Sequence, residues 1–415
     1  MRRIGVVTCG RSDVGFYLPL LQAMAEHPSL EPELIATGMH LSTTFGLTVR
    51  QFEEAGYPVR HRVPSLLAFD APEGVAASMG VGTQGFAQLF ANRRPDVLLV
   101  HGDRTDTLPA AVAALPFRLP VAHIAGGDVT EGAIDDAVRH ALTKLSHLHF
   151  VELPSAARRV EQMGEEPWRI SVCGALALDA MARAVPMTDQ EFEETFRLPA
   201  GARFLLVTYH PVTLQPEQTG AQIEALLAAL EDIGRPCVFT YPNADVGSHI
   251  IIQALQRFCA RRGECRLVVN AGPKGYWSLM RAATAMVGNS SSGIVEAASC
   301  RLPVVNVGIR QQGRLRPANV VDAEATRASI SSAIRQATAP AFRARLASLT
   351  NPYGDSHAAE RIAQRLAEVE LSDRLLMKRF HDIAPEHGAT AASLSPVVSH
   401  GEAVGAGAVT SGSGR

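Results

Sequence analysis

Val97-Leu98-Leu99-Val100-His101-Gly102-Asp103-Arg104 and, a little further on, Val121-Ala122-His123-Ile124-Ala125-Gly126-Gly127-Asp128 decide how this chain folds. Each is a short run of branched apolar residues that stops near glycine and turns polar. A parallel strand buried on both faces reads this way where it runs out into a loop. The stretch Thr130-Glu131-Gly132-Ala133-Ile134-Asp135-Asp136-Ala137-Val138-Arg139-His140 follows at once. Since an α/β domain gathers residues from neighbouring strand ends into one crevice, the acids and bases of these segments are expected to share a site.

The same alternation of apolar runs and amphipathic stretches extends in both directions. Ile4–Thr8, Glu33–Thr37, Val97–Val100, Val121–Ile124, His149–Val151 and Arg169–Val172 read as strands of a first unit. Val185–Ala202, with two prolines and a Thr-Asp helix start, reads as a junction. Phe204–Thr208, Cys237–Thr240, Arg266–Val269, Ala285–Val287 and Val304–Val307 then read as a second unit. The expected fold is α/β, with two Rossmann-like domains, 1–185 and 186–355, facing a central cleft. A helix over 356–372 is expected to pack back towards the first domain, and 373–415, rich in Ala, Gly, Ser and Val, to be a disordered tail.

Composition narrows the function. A formal net charge of -2 over 415 residues gives no field to recruit nucleic acid or an anionic membrane, so neither is an expected partner. The six cysteines, Cys9, Cys173, Cys237, Cys259, Cys265 and Cys300, form no Cys-x-x-Cys pair, which suits a reducing cytoplasm. Thr8, Gly10 and Arg11 interrupt the first apolar run too soon for a signal peptide. No segment approaches the ~18 apolar residues of a membrane span. His147 and His149 point to opposite sides of a strand, and no metal site is expected.

Gly288-Asn289-Ser290-Ser291-Ser292-Gly293 follows an apolar strand and is expected to open a helix over Ile294–Ser299. Small residues and hydroxyls there suit a diphosphate, and equally an ordinary helix cap. Glu296, in the first turns of that helix, suits either a ribose diol or the helix dipole. After the first strand, Cys9-Gly10-Arg11-Ser12-Asp13 lacks the dinucleotide glycine spacing, so a nicotinamide cofactor is not indicated. Arg11 is placed either to clamp a phosphate or to sit on the surface beside Asp13. Asp135 and Arg139 stand four apart on one helix face and are expected to pair, either within the site or as a surface salt bridge, with Ile134, Val138, Ala141 and Leu145 as the expected buried stripe. His210 ends the second unit's first strand facing the cleft, as a participant or a bystander, Asn243 nearby either binds or merely turns the chain, and Arg310-Gln311-Gln312-Gly313-Arg314 is a basic loop suited to an anion or to solvent.

Taken together these segments resemble the hydrolysing UDP-N-acetylglucosamine 2-epimerases of nonulosonic (sialic and legionaminic) acid synthesis. Besides those already quoted, the matching motifs are Thr37-Gly38-Met39-His40-Leu41-Ser42, Lys144-Leu145-Ser146-His147 and His210-Pro211. The resemblance implies a glycosyltransferase-B fold, no cofactor, a UDP-sugar substrate and a homo-oligomer such as a dimer. It also implies a reaction through a glycal. A carboxylate takes the C2 proton as UDP leaves C1, water adds at C1, and C2 is reprotonated on the other face.

By position the resemblance makes Asp103, Asp128, Asp135 and His210 the catalytic groups. It makes Arg11, Ser290, Ser291 and Glu296 contacts to the nucleotide, and Asp13, His40, Arg139, Asn243, Gly293, Arg310 and Arg314 are further expected contacts to UDP-sugar. One departure matters: where non-hydrolysing relatives place a catalytic glutamate, this chain has Ala125, and the nearest carboxylate is Asp128. Either Asp128 or a different group takes over that proton transfer. Two carboxylates at one reacting carbon are expected to have pKa values driven apart. A glycosyltransferase of the same fold and a non-catalytic UDP-sugar-binding protein are the rival readings.

Overall fold

In the computed structural model, which describes residues 1–67, 71–199, 201–243 and 245–383 and leaves the Arg11 side chain undescribed, two parallel sheets account for every strand expected from the sequence. The first comprises β1 (Arg2–Thr8), β2 (Leu30–Thr37), β3 (Val59–Val63), β4 (Val97–His101), β5 (Val121–Ile124), β6 (Leu148–Val151) and β7 (Ile170–Val172). The second comprises β8 (Leu205–Thr208), β9 (Cys237–Thr240), β10 (Arg266–Val268), β11 (Ala285–Gly288), β12 (Val304–Val307) and β13 (Val320–Ala323). Their orders are β3-β2-β1-β4-β5-β6-β7 and β10-β9-β8-β11-β12-β13. Both are doubly wound, and the order reverses between β1 and β4 and again between β8 and β11. Ligands bind at the carboxyl ends of strands beside such reversals.

Both faces of each sheet are covered, as an all-parallel sheet requires. In β1, Val6 packs with Tyr17, Leu20 and Leu21 of the helix Arg11–Glu26. Val7, its neighbour on the opposite face, packs with Phe86 and Phe90 of the helix Pro72–Asn92. In β8, Val207 joins Ile223 and Leu226 on one face, while Leu206 joins Trp277 and Leu279 on the other. The junction helix Asp189–Phe196 starts on the expected Thr-Asp signal, with Thr188 Oγ1 accepting from Glu191 N at 3.2 Å, and buries Phe192 and Phe196.

Neither β3 nor β13 is expected from the sequence, and both are sheet edges. An edge strand pairs on one side only and needs less apolar cover. In β3 the inner residues Arg60, His61 and Arg62 are at least partly exposed, so only Val59 and Val63 carry an apolar signal.

The helix Ala358–Glu368 packs Ala359, Ile362 and Leu366 against the core around β1. Asp179 anchors its start by accepting from Ala358 N at 3.1 Å and Ala359 N at 2.8 Å. The expected tail has to be corrected at its beginning. Arg169, buried to 1% exposure, donates to the carbonyls of Leu375 at 2.8 Å, Arg374 at 3.0 Å and Met377 at 3.1 Å, and Leu375 is itself buried. A buried guanidinium needs those acceptors, which fastens this part of the segment. The rest of the tail, 384–415, lies outside the described residues. Both sheets belong to one compact unit, Met1–His381. No helix among the described residues is long and apolar enough to cross a membrane.

Gly288, the last residue of β11, has φ +142°, and a Cβ there would stand 1.9 Å from the Thr208 carbonyl oxygen. Because backbone cannot yield as a side-chain tip can, Gly288→Ala should destabilise the protein by roughly 2 kcal/mol or more. Thermal unfolding reads this directly, and an unchanged Tm would contradict the close approach of β8 and β11.

Candidate active site

The loop after β4 is shaped from beneath by a histidine. His123, buried in β5, has Nε2 at 2.7 Å from the Gly102 carbonyl and Nδ1 at 3.2 Å from Thr143 Oγ1. Burial pushes its pKa down to about 3, so the ring is neutral and Nε2 carries the hydrogen donated to Gly102. Gly102 itself, at φ +73°, turns the chain so that Asp103 and Arg104 reach the cavity wall.

Asp103 accepts a hydrogen bond from Arg139 Nη2. Arg139 is 1% exposed, and its Nη1 donates to the Asp128 carbonyl at 3.0 Å and lies 3.5 Å from Asp136 Oδ1. Asp136 Oδ1 in turn accepts from Thr130 N at 2.6 Å. The expected pairing of Asp135 with Arg139 is therefore corrected: Arg139 turns inward to Asp103. The helix Asp135–Leu145 is rotated accordingly, burying Val138, Arg139, Leu142 and Thr143, while Ile134 and Ala141 are exposed. A hydrophobic stripe drawn from sequence cannot register a guanidinium that is itself the buried face.

Asp135 meets the second sheet instead. Arg310 Nη2 lies 3.6 Å from Asp135 Oδ2, and Arg314 Nη2 lies 3.8 Å from Asp128 Oδ2. Backbone contacts hold these loops together: Glu131 N donates to the Gln312 carbonyl at 3.1 Å, and Ile134 N donates to Thr213 Oγ1 at 3.0 Å. Gly132 lies so close to Ile309 that a Cβ would come within 2.4 Å of its carbonyl oxygen. The basic loop is thus packed against the first sheet's loops and is not a solvent feature.

On the second sheet, Asn289 bridges the ends of β8 and β11. Its Oδ1 accepts from His210 N at 2.7 Å and its Nδ2 donates to the His210 carbonyl at 2.8 Å. His210 Nδ1 accepts from Asn243 N at 3.1 Å, which places the ring hydrogen of the neutral form on Nε2. Both residues line the cavity. Ser290 caps the helix Ser291–Val295, and Ser292 Oγ lies 2.9 Å from Ser290 Oγ and 2.6 Å from Tyr276 Oη.

That helix is one turn long, and a 3-10 turn over Ala297–Cys300 follows. Glu296 therefore sits at its C-terminal end, which corrects the expected helix over Ile294–Ser299 and rules out a dipole-complementing role. It still lines the cavity, and burial pushes its pKa up to about 7. Gly293 stands away from the lining, where a Cβ would lie 3.0 Å from Val304 Cγ1.

Two other expected contacts serve the fold. His40 is fully buried, with Nε2 at 2.8 Å from Thr8 Oγ1 and Nδ1 at 2.8 Å from Thr48 Oγ1, and it does not line the cavity. Asp13 does line it, but its Oδ2 accepts from Cys9 N at 2.7 Å and from Gly10 N and Thr8 Oγ1, each at 3.1 Å. That oxygen shapes the loop after β1. The side chain of Arg11 lies outside the description, so the clamp expected of it does too.

Electrostatics divide the carboxyls. For Asp103 burial works upward, but Arg139, Arg314 and Arg104 outweigh it and leave the pKa lowered. For Asp135 burial and then the Asp103 charge push the pKa up to about 6, against the pull of Arg310. Among the arginines and carboxyls of the cavity wall, two escaped the sequence assignment. Arg104 has Nη2 3.8 Å from Asp245 Oδ1, linking the two sheets' loops. Glu152 lines the cavity immediately after β6. Its position, the first polar residue past a strand, is the signal that singled out Asp103 and would have found it as well. Asp128 is 5% exposed and stands off the lining. No cluster of three His, Cys, Asp or Glu side chains able to hold a metal occurs among the described residues.

Comparison with known proteins gives a consistent picture. Residues 22–367 match the family model described as UDP-N-acetylglucosamine 2-epimerase. The GDP/UDP-N,N'-diacetylbacillosamine 2-epimerase (hydrolyzing) of Campylobacter jejuni is 35% identical over 78% of this chain and 84% of its own. The UDP-N,N'-diacetylbacillosamine 2-epimerase (hydrolyzing) of Legionella pneumophila is 32% identical over 91% and 99%. Among solved structures, the UDP-GlcNAc 2-epimerase of Neisseria meningitidis bound to UDP-GlcNAc aligns with a TM-score of 0.78 at 17% identity, covering 89% of this chain and all of that one. At that identity the likeness concerns the fold, a glycosyltransferase-B arrangement of two Rossmann-like halves.

The charges around Asp135 make a separable prediction. Arg310→Gln removes a cation that lowers its pKa and should raise it above about 6, whereas Asp103→Asn removes the anion that raises it and should lower it. Carboxyl carbon chemical shifts followed against pH report both. A titration unmoved in either variant would contradict the coupling.

Proposed function

The chain belongs to the UDP-N-acetylglucosamine 2-epimerase family, and we propose that it is a hydrolysing member, turning a UDP-linked 2-acetamido sugar and water into UDP and the free sugar inverted at C2. The observation that carries this reading is Asp135, a carboxyl on the cavity wall with Arg310 of the opposite sheet 3.6 Å away. Such a group can meet a sugar whose nucleotide is seated across the cleft.

In the proposed reaction the UDP moiety lies against Ser290, Ser291, Ser292 and Glu296, and its diphosphate meets His210 and Arg310. Asp135, with a pKa pushed up to about 6, is ionised at neutral pH yet basic enough to accept a proton. The Asp103 carboxylate, held by Arg139, is the weaker base and serves to orient the sugar. Asp135 takes the C2 proton. The C2–H electron pair becomes the C1=C2 bond as the C1–O pair departs with UDP, stabilised by the His210 Nε2 hydrogen and the Arg310 guanidinium. Water then adds at C1, and C2 takes a proton on its other face. Loops docked across the cleft, as Gly132 is on Ile309, keep bulk water from the glycal. The names of the Campylobacter and Legionella relatives support a 2,4-diacetamido-6-deoxy sugar as the first substrate to try. Six cysteines without disulfides support a cytoplasmic setting.

Incubation with each candidate UDP-sugar in heavy water, without acceptor, should give UDP and a free sugar carrying deuterium at C2. Product without deuterium would reject epimerisation, release of UDP only with an acceptor would indicate a glycosyltransferase, and unchanged UDP-sugar would indicate a binding protein. Because the base acts when ionised, kcat should rise with pH through about 6. Asp135→Asn should lower kcat on the order of 10²–10⁴-fold with UDP affinity retained. Glu296→Ala should instead chiefly weaken UDP binding, as calorimetry would measure.

A further inference from the structure

We propose that Glu152 is the acid that delivers the proton to C2 in the second half of the reaction, an assignment that rests on the 2-epimerase reading above. The chemistry needs two groups at C2, one ionised and one carrying a proton. Several carboxyls line the cavity. Asp103 is held as a carboxylate by Arg139, Asp13 commits Oδ2 to three donors at the end of β1 and in the loop after it, and Glu296 lies at the nucleotide end. Asp135 is the base. That leaves Glu152.

Its surroundings store a proton there. β6 runs beside β5, with Ile124 opposite Phe150 and Ala125 N donating to the Phe150 carbonyl at 2.8 Å. Glu152 therefore leaves its strand beside the Ala125–Asp128 turn, where Ala125 presents only a methyl group. The Glu152 carboxyl faces that of Asp128, and neither Glu152 Oε2 nor Asp128 Oδ2 has a hydrogen-bond partner. Two carboxyl oxygens shielded from solvent and set against each other, with no donor hydrogen-bonded to either and Arg314 Nη2 no nearer than 3.8 Å to Asp128 Oδ2, favour holding one proton between them. Asp128 lies off the cavity and Glu152 on it, so the member able to hand that proton to a ligand is Glu152. Burial and the Asp128 charge push its pKa up to about 8, against Arg314 and Arg139, which keeps it protonated at neutral pH.

The step balances. The glycal C1=C2 electron pair takes the proton from the Glu152 O–H, forming the new C2–H bond and leaving Glu152 as carboxylate. Water bonds to C1 and releases one proton to solvent. Before the next turnover Asp135 gives up the proton it took from C2, and Glu152 recovers one. The net change is one proton released with UDP.

The test separates the two halves of the reaction. With the full-length protein, UDP, glycal and free sugar are quantified by mass spectrometry for wild type, Glu152→Gln and Glu152→Asp. The expected result for Glu152→Gln is free-sugar formation down on the order of 100-fold or more, with UDP release reduced much less and glycal accumulating. UDP binding by calorimetry confirms that the site is intact. Should Glu152→Gln fail to fold, Glu152→Asp gives the same reading through its ratio of glycal to sugar. Free sugar and UDP formed one to one at the wild-type rate, or both halves slowed in parallel, would overturn the assignment. Wild type that releases no UDP, or forms sugar without C2 deuterium in heavy water, would overturn the underlying reading instead.

Discussion

A guanidinium that is 1% exposed, that of Arg139, constrains everything around it. A cation taken out of water is tolerable only when it is paired and fully hydrogen-bonded. Arg139 meets that demand with groups from separate places, Asp103 after β4, the Asp128 carbonyl after β5 and Asp136 of its own helix. Strand ends that would otherwise be independent loops are thereby tied to one point. The second sheet adds Arg310 and Arg314 to the same field, 3.6 Å from Asp135 and 3.8 Å from Asp128. The carboxyls draw the two halves of the molecule together at the place where the fold already forms a crevice.

The same field sets the carboxyls apart in acidity. Asp103, hydrogen-bonded to a guanidinium, is driven down. Asp135, which sees Asp103 as well as Arg310, moves up to about 6, and Glu152, set against Asp128, moves up to about 8. All three are at least partly withdrawn from water, so desolvation alone would push every one of them upward. What separates them is the balance of arginines and neighbouring carboxyls around each. Removing the partner of any of these buried charges leaves the other exposed to the full cost of desolvation. The electrostatic pattern and the stability of the loops are therefore the same property.

How much of this was readable in sequence follows from what each signal depends on. The central strands announce themselves because both faces are buried, as in Leu98 and Leu99 of β4, which face opposite cores. β3 is hidden because Arg60, His61 and Arg62 need no cover at an edge. Motif-bearing loops placed Asp103, Asp135 and His210 at the cavity, since strand ends of a doubly wound sheet converge. His40 looks like a ligand in a motif and is a fully buried strut between Thr8 and Thr48, a role decided by long-range packing. The orientation of the helix Asp135–Leu145 was misread because apolar periodicity alone assigns its buried side, and here the deciding residue is charged. Glu152 carries no local mark beyond following β6. Its importance comes from Asp128, twenty-four positions earlier in the chain and adjacent only through strand pairing.

The distances across the cleft are themselves informative about how the site responds to substrate. At 3.6 and 3.8 Å the Arg310–Asp135 and Arg314–Asp128 pairs are longer than charge-assisted hydrogen bonds, which close to about 2.7–2.9 Å. Arg310 Nε has no hydrogen-bond partner, although Nη1 reaches the Asn289 carbonyl at 3.3 Å. A guanidinium held in place yet short of donor saturation is ready to accept an incoming anion. A diphosphate that claims Arg310 competes with Asp135 for it, and also adds negative charge nearby. Both effects act on Asp135 in the direction that burial and Asp103 already push it. In the proposed reaction, substrate binding would thus make Asp135 more basic as C2 arrives, and departure of UDP would return Arg310 to the carboxylate. In that reaction a single cation between the leaving group and the base would couple the two ends of the elimination.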